Sequence, residues 1–446
     1  MAVTETAATN RVIVLDIVGL QPDHLSPEAT PNLSALIGDT ATSLRPPFPA
    51  VTVPSQTTLA TGQPPAEHGD VANGSYDRER DTIEFWGRDR GDRDRLWETA
   101  SEAGLKTGVL FFQHLRGTTA DIALTPSPIE DENNDLIEMD CWSKPEGFYE
   151  DLTAEHGHFP LHNYWGPLAG REGSEWILTA AGEAIERYDP DLLWVYLPHL
   201  DYVGLRDGPG SSFQAELKVV DALIGEFLDQ LRDARWHETT TAVVSEYGFH
   251  SVDRPVFPNR RLNDAGFLSV TDTGDIELAD SQAFALVDHQ IAHIYADQDE
   301  VPAVRRCLQS CGGIAEIQAP TSGEHHPNAG DLVLIAERDA WFQYYWWDDE
   351  TTAPAYASAV DIHEKPGFDP CELFLGEGAP ISLDPTQVGG SHGRTDSEAH
   401  GIFGLGGPAA PEFEREQIDA RAVAPTIADL LDLTELTHSF ERSSIL

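Results

Sequence analysis

The sequence predicts an α/β protein built on a doubly wound, mostly parallel sheet. Three observations carry that expectation. Short apolar runs rich in β-branched residues recur along the chain. Helical patterns alternate with them, as a parallel sheet with crossover helices requires. Several of the runs end in an acidic residue. The 446 residues, 40% of them hydrophobic, suffice for one large domain with insertions.

The first strand, 12–15, ends in Asp16. A helix follows at 32–36. The proline-bracketed stretch FPAVTVPSQTTLATG starts a helix near Pro54 and puts Thr52 at its N-terminal end, where the dipole and free N–H groups favour an anion. An ordinary N-cap is the plain alternative. A helix at 96–103 and a strand at 107–112 come next. Residues 113–172 lack a long periodic segment and are rich in proline, glycine, histidine and acids, which predicts a lid-like insertion. A helix at 175–188 leads to a strand at 192–197, which runs into His199 and Asp201. A second long helix, 213–231, leads to a strand at 241–245 that ends in Glu246. Residues 255–330 carry short strand-like runs and a helix at 301–308, which predicts a small inserted α+β subdomain before a last parallel strand at 332–335. Ligands of open parallel sheets sit beyond the carboxyl ends of the strands, so Asp16, Asp201 and Glu246 are expected to converge on one crevice. The alternative is that each acid caps its own turn.

Lysine and arginine total 28 against 76 aspartates and glutamates, a net charge of −48. That excludes a protein that holds a nucleic-acid duplex through bulk charge, and a polybasic membrane contact. Lysine is confined to Lys106, Lys144, Lys218 and Lys365. Dispersed carboxylates with few lysines suit a fold that works in concentrated salt, so a halophile's cytoplasmic protein is expected, against the alternative of a merely acidic mesophilic one. No run approaches 18 apolar residues, and residues 1–10 lack the basic and apolar parts of a signal peptide. Four scattered cysteines make neither a disulfide scaffold nor a zinc site.

Taken together, the motifs resemble the nucleotide pyrophosphatase/phosphodiesterase branch of the alkaline phosphatase superfamily. That family has an early strand ending in a metal-binding Asp, here VIVLDIVGL with Asp16. Its proline-flanked segment with a threonine nucleophile matches Thr52, and a His-Gly turn and an Asn-Gly region follow in EHGDVANGSYD. Its Asp-x-x-Gly-His-x-x-Gly-Pro segment aligns with DYVGLRDGP from Asp201, its Ser-Asp-His-Gly with Ser245-Glu246-Tyr247-Gly248, and its Gly-x-His-Gly with Gly390-Ser391-His392-Gly393. The agreement runs over roughly residues 11–435.

The resemblance implies an alkaline-phosphatase-like fold and metal-dependent hydrolysis of a phosphodiester, pyrophosphate or phosphomonoester through a phosphothreonine at Thr52. It implies one or two divalent ions (Zn, Mn or Mg) held by Asp16, Thr52, Asp201, Glu246 and His392, with Ser55 and the N–H groups after Thr52 on a phosphoryl oxygen. Two imidazoles of the family are replaced, by Leu205 and Tyr247. Asp361 and His363 are candidates to refill the gap, with His363 expected near His392; His289 and His293, four apart in a strand-like region, are others. Carboxylate enrichment favours Mn²⁺ or Mg²⁺ over Zn²⁺. His156, His158 and His162 read as loop residues, His325 and His326 as a turn, and the aromatic run 341–347 as packing. A phosphomutase or phosphonate hydrolase on the same scaffold, or a non-catalytic binder of a phosphorylated ligand, are the alternatives. Substrate identity and oligomeric state are not legible.

Overall fold

The structure is a computed structural model that describes residues 10–87, 89, 94–130, 136–232, 235–319, 326–363, 365–433, 440 and 442–446. Most of the stretch read against a signal peptide, residues 1–9, lies outside the described residues, as does His325. Five parallel strands form the middle of a nine-stranded sheet: β1 (Arg11–Ile17), β2 (Thr107–Leu110), β3 (Ile122–Pro126), β4 (Leu192–Leu197) and β5 (Thr239–Val244). Their spatial order is β5-β1-β4-β2-β3. Every residue of β1, β2, β4 and β5 is buried, which is why these strands read as continuous apolar runs and not as alternating ones.

Antiparallel strands close the two sides. Gly401–Gly406 pairs with β5, and Cys141–Lys144 pairs with β3. Neither strand was expected, and the three glycines of GIFGLG weaken a strand reading there. Gly401 is required there: a Cβ would stand 2.0 Å from the Ser245 carbonyl oxygen. The central fold is therefore the α/β, mostly parallel sheet that the sequence predicts. The long helix Ser211–Leu231 buries Phe213, Leu217, Val220, Ile224, Phe227, Leu228 and Leu231, a stripe at three- and four-residue spacing.

A second sheet of four antiparallel strands stands apart in the topology. It contains β6 (Ala283–Asp288), β7 (Ile291–Ala296), Ile314–Gln318 and Leu332–Ala336. The run at 332–335, expected as the last parallel strand, belongs here instead. A short apolar run reports burial on both faces and not the direction of its neighbours. The segment 113–172 is likewise more than a cover: β3 and Cys141–Lys144 extend the central sheet, and the part around Leu161–Asn163 reaches the cleft described below. Among the described residues no helix is long and apolar enough to cross a membrane.

Candidate active site

The helix Thr52–Thr61 is buried at all ten positions, so it has no solvent face and shows no amphipathic pattern. Pro54 sits in its first turn, where the missing N–H costs nothing. The Val53 N–H donates to Asn73 Oδ1 at 2.8 Å, and the Ser55 N–H donates to the Val51 carbonyl at 3.0 Å. These donors, expected on a phosphoryl oxygen, are thus engaged within the fold. Ser55 itself is buried, its Oγ has no hydrogen-bond partner, and it is not among the residues lining the cleft. Thr52 does line the cleft, and its Oγ1 lies 2.8 Å from Tyr247 Oη.

Three carboxylates arrive from adjacent strands. Asp16 is in β1, level with Tyr196 of β4 and Val244 of β5. Glu246 follows β5 by two residues, and Asp201 lies in the first turn of the helix His199–Asp207 just after β4. All three are buried, and both oxygens of Asp16, both of Glu246 and Oδ1 of Asp201 have no hydrogen-bond partner. Burial pushes the Asp201 carboxyl up to about 7 and those of Asp16 and Glu246 well above the usual range; the charges of Asp16 and Asp201 raise Glu246 further. A buried carboxylate with neither hydrogen bonds nor a counter-charge costs several kcal/mol. Oxygen donors crowded in this way fit divalent cations, whose charge reverses that cost.

His392 reaches the same place. Gly390 makes this possible, since a Cβ there would stand 2.0 Å from the Gly204 carbonyl oxygen of the helix that carries Asp201. His392 Nδ1 bonds the Ala50 carbonyl at 2.8 Å, while Nε2 is buried without a hydrogen bond, 3.8 Å from Asp201 Oδ1. Tyr247 stacks on the His392 ring at 3.7 Å. The phenol hydrogen-bonds to Thr52 and stands beside Asp201, whose carboxyl it lowers somewhat against the effect of burial.

The structure brings Asp16, Thr52, Asp201, Glu246 and His392 to one place. His363 lines the cleft and its Nδ1 bonds the Phe85 carbonyl at 3.0 Å, on a loop tied down where the Asp361 N–H meets Glu372. The imidazole packed on His392 is that of His289, 3.7 Å away between ring centroids. His289 occupies the turn between β6 and β7, and its Nδ1 bonds Asp288 Oδ1 at 2.8 Å. His293, in β7, has both ring nitrogens engaged, with the Val71 carbonyl and the Gly330 N–H. His199 pairs with Glu216 at 2.8 Å. The tightest acid–histidine groups among the described residues lie elsewhere, at Glu155–His156–Glu183 and His250–Asp396–Glu398. Arginines already neutralise both: Arg187 binds Glu183, and Arg338 binds Asp396 and Glu398.

Over the floor made by Thr52, Asp201 and His289 opens a cleft of about 350 Å³. Its walls are largely aromatic, with Trp86, Tyr164, Trp165, Tyr202 and Phe368. One wall is braced from beneath by Lys365, which is buried between Asp369 at 2.8 Å and Glu372 at 2.7 Å. Glu372 also accepts from Trp165 Nε1 at 2.5 Å and from the Asp361 N–H at 3.1 Å.

Sequence reasoning missed this brace and the role of Asn73, which lies within the EHGDVANGSYD motif; it names His289 as a candidate ligand without placing it against His392.

A family model described as type I phosphodiesterase / nucleotide pyrophosphatase matches residues 12–369. An uncharacterized pyrophosphatase/phosphodiesterase of Schizosaccharomyces pombe is 26% identical over 231 residues, 50% of this chain and 41% of that protein. Ectonucleotide pyrophosphatase/phosphodiesterase family member 7 of Rattus norvegicus is 25% identical over 281 residues, 58% of this chain and 56% of that protein. The chain thus spans about half the length of these relatives. Among solved structures, human ectonucleotide pyrophosphatase/phosphodiesterase 5 superposes with a TM-score of 0.61 at 15% identity, and an inactive variant of the murine protein in complex with AMP with 0.60 at 16%. In both cases 95% of each chain is covered.

Proposed function

The chain belongs to the type I phosphodiesterase/nucleotide pyrophosphatase family, and on that footing we propose that it is a divalent-metal-dependent hydrolase of a phosphodiester or pyrophosphate, with Thr52 as nucleophile. The observation that carries this reading is the ring of unpartnered buried donors around one cleft-facing hydroxyl: Asp16, Glu246, Asp201 and His392 about Thr52. Asp16, Glu246 and Thr52 would hold one cation, Asp201 and His392 the other. When bound, the cations supply positive charge that lowers the pKa of the threonine hydroxyl and offsets charge on the phosphoryl oxygens.

The remaining work falls to the chain. Thr52 Oγ1 attacks phosphorus, the bond to the leaving oxygen breaks, and a phosphothreonine forms. The threonine proton passes to Tyr247 Oη, 2.8 Å away, as the phenol gives its own to water, and the leaving oxygen takes a proton from water. Water then attacks phosphorus, freeing the phosphate monoester and restoring the threonine hydroxyl. The aromatic walls suit the organic arm of the ester, and a nucleoside is one such arm, since the murine relative was solved with AMP. A halophile's protein, working in concentrated salt, remains our reading of the charge.

Thr52→Ala tests the assignment. Its turnover of phosphate diesters after metal reloading should fall by about 10⁴-fold or more with the fold intact, while Thr52→Ser keeps measurable activity. Turnover near wild type in Thr52→Ala removes Thr52 from the mechanism. A non-catalytic binder of a phosphorylated ligand is the second reading, favoured by Leu205 and by the phenol standing against the nucleophile. A metal-loaded wild type that binds phosphate esters and turns none over selects it.

A further inference from the structure

The turn between β6 and β7 has two residues, His289 and Gln290. His289 sits at φ +61°, a backbone region that glycine, asparagine and aspartate enter most easily. The turn places its ring against His392 and on the cleft floor beside Thr52 and Asp201.

Nδ1 is held by the Asp288 carboxylate, and Asp288 is itself fixed by the Asn73 N–H at 2.7 Å and by Asn73 Nδ2 at 2.9 Å. A carboxylate on Nδ1 leaves the lone pair on Nε2, and that atom is buried with no hydrogen-bond partner. His392 repeats the arrangement, with a carbonyl on Nδ1 and Nε2 unpartnered. On the facing helix the buried Leu205 stands where the resemblance implies an imidazole.

We infer that His289 replaces that imidazole as the third protein ligand, with Asp201 and His392, of the second cation position. The inference rests on the metal-dependent reading above. The three donors are not all within 4.8 Å of one another, so closing on an ion requires Asp201 to turn from Tyr247 towards the imidazoles. The two positions are then chemically unlike. Asp16, Glu246 and Thr52 offer oxygen alone, which suits Mn²⁺ or Mg²⁺; Asp201, His289 and His392 offer two imidazoles and a carboxylate, which suits Zn²⁺.

The experiment uses the full chain, stripped with chelator and reloaded with Zn²⁺ or Co²⁺. Bound metal is counted by mass spectrometry and the Co²⁺ form read by visible absorption. Wild type should bind two ions, one giving the visible bands of a tetrahedral, imidazole-ligated Co²⁺. His289→Asn suits the turn, so its metal-free form should melt no lower than wild type. It should nevertheless lose about tenfold or more in affinity at one position, together with those bands. Asp16→Asn should weaken the other position and keep the bands. Leu205→His added to His289→Asn should restore them. His289→Asn binding both ions as wild type does overturns the inference while leaving the hydrolase reading intact. A wild type that binds both ions and hydrolyses no phosphate ester sinks the hydrolase reading alone, and one that binds no ion overturns both.

Discussion

Tyr247 is the residue whose chemistry departs furthest from what the motifs imply. A phenol is longer than an imidazole, so the side chain that begins where a ligand was expected ends on the nucleophile. Tyr247→Phe keeps the ring stacked on His392 and removes only Oη. Its kcat should fall by about 10²-fold with KM and bound metal unchanged. Loss of a metal equivalent in that variant would make Tyr247 a ligand instead of a proton carrier. The sequence exposed Asp16, Thr52, Asp201, Glu246 and His392 because strand ends and local motifs carry them. His289 was one candidate among several because nothing local singles it out: Asn73, which fixes its partner Asp288, and His392 are remote in sequence, and only the docking of the second sheet brings them together.

At the scale of elements, the helices at 32–36, 96–103, 175–188, 213–231 and 301–308 were legible to within a few residues, while Phe148–His156, His199–Asp207 and Val423–Leu430 were not expected. Strand direction was not legible, as the 332–335 run shows. The cleft wall makes the same point, because no local pattern announces a brace built from Lys365, Asp369 and Glu372. That brace joins the loop bearing Asp361 and Phe368 to Trp165. Trp165→Phe removes one N–H donor and keeps an aromatic ring. It should raise KM several-fold with kcat nearly unchanged, measured on a diester with an aromatic arm; an unchanged KM would show that the brace does not set the wall. Lys365→Met goes further, leaving two buried carboxylates unpaired, and should cost about 3–5 kcal/mol of stability in denaturant titration.

The whole molecule carries −48. Repulsion among those carboxylates is screened by salt, so the thermal midpoint should rise between dilute buffer and molar KCl. Equal midpoints would contradict a fold adapted to salt. The pH dependence turns on the buried acids. A carboxyl whose pKa is raised by folding contributes stability in full below its unfolded value near 4, and that contribution is lost as pH rises through the folded value. For Asp201 the window closes at about 7, and the raised carboxyls of Asp16 and Glu246 act in the same direction. Chelated protein should therefore weaken as pH rises from 5 to 8. Cation binding needs these groups deprotonated, so the gap between metal-loaded and chelated midpoints should widen over the same range. A gap that narrows with pH would show that these acids do not hold the metal.

The central place of β1 has a consequence for synthesis. Val12 pairs with Leu192 on one side and with Thr240 on the other, so this apolar segment has no partner in the central sheet until about 180 residues have followed it. At about 5–20 residues per second that wait lasts roughly ten to forty seconds. During it VIVLDI is an unpaired strand of high β-propensity, the kind of segment that seeks other chains. Asp16 is the one charge in it. The carboxylate that the finished fold buries also interrupts that run of apolar residues while the chain is still growing, when the segment is most exposed to aggregation.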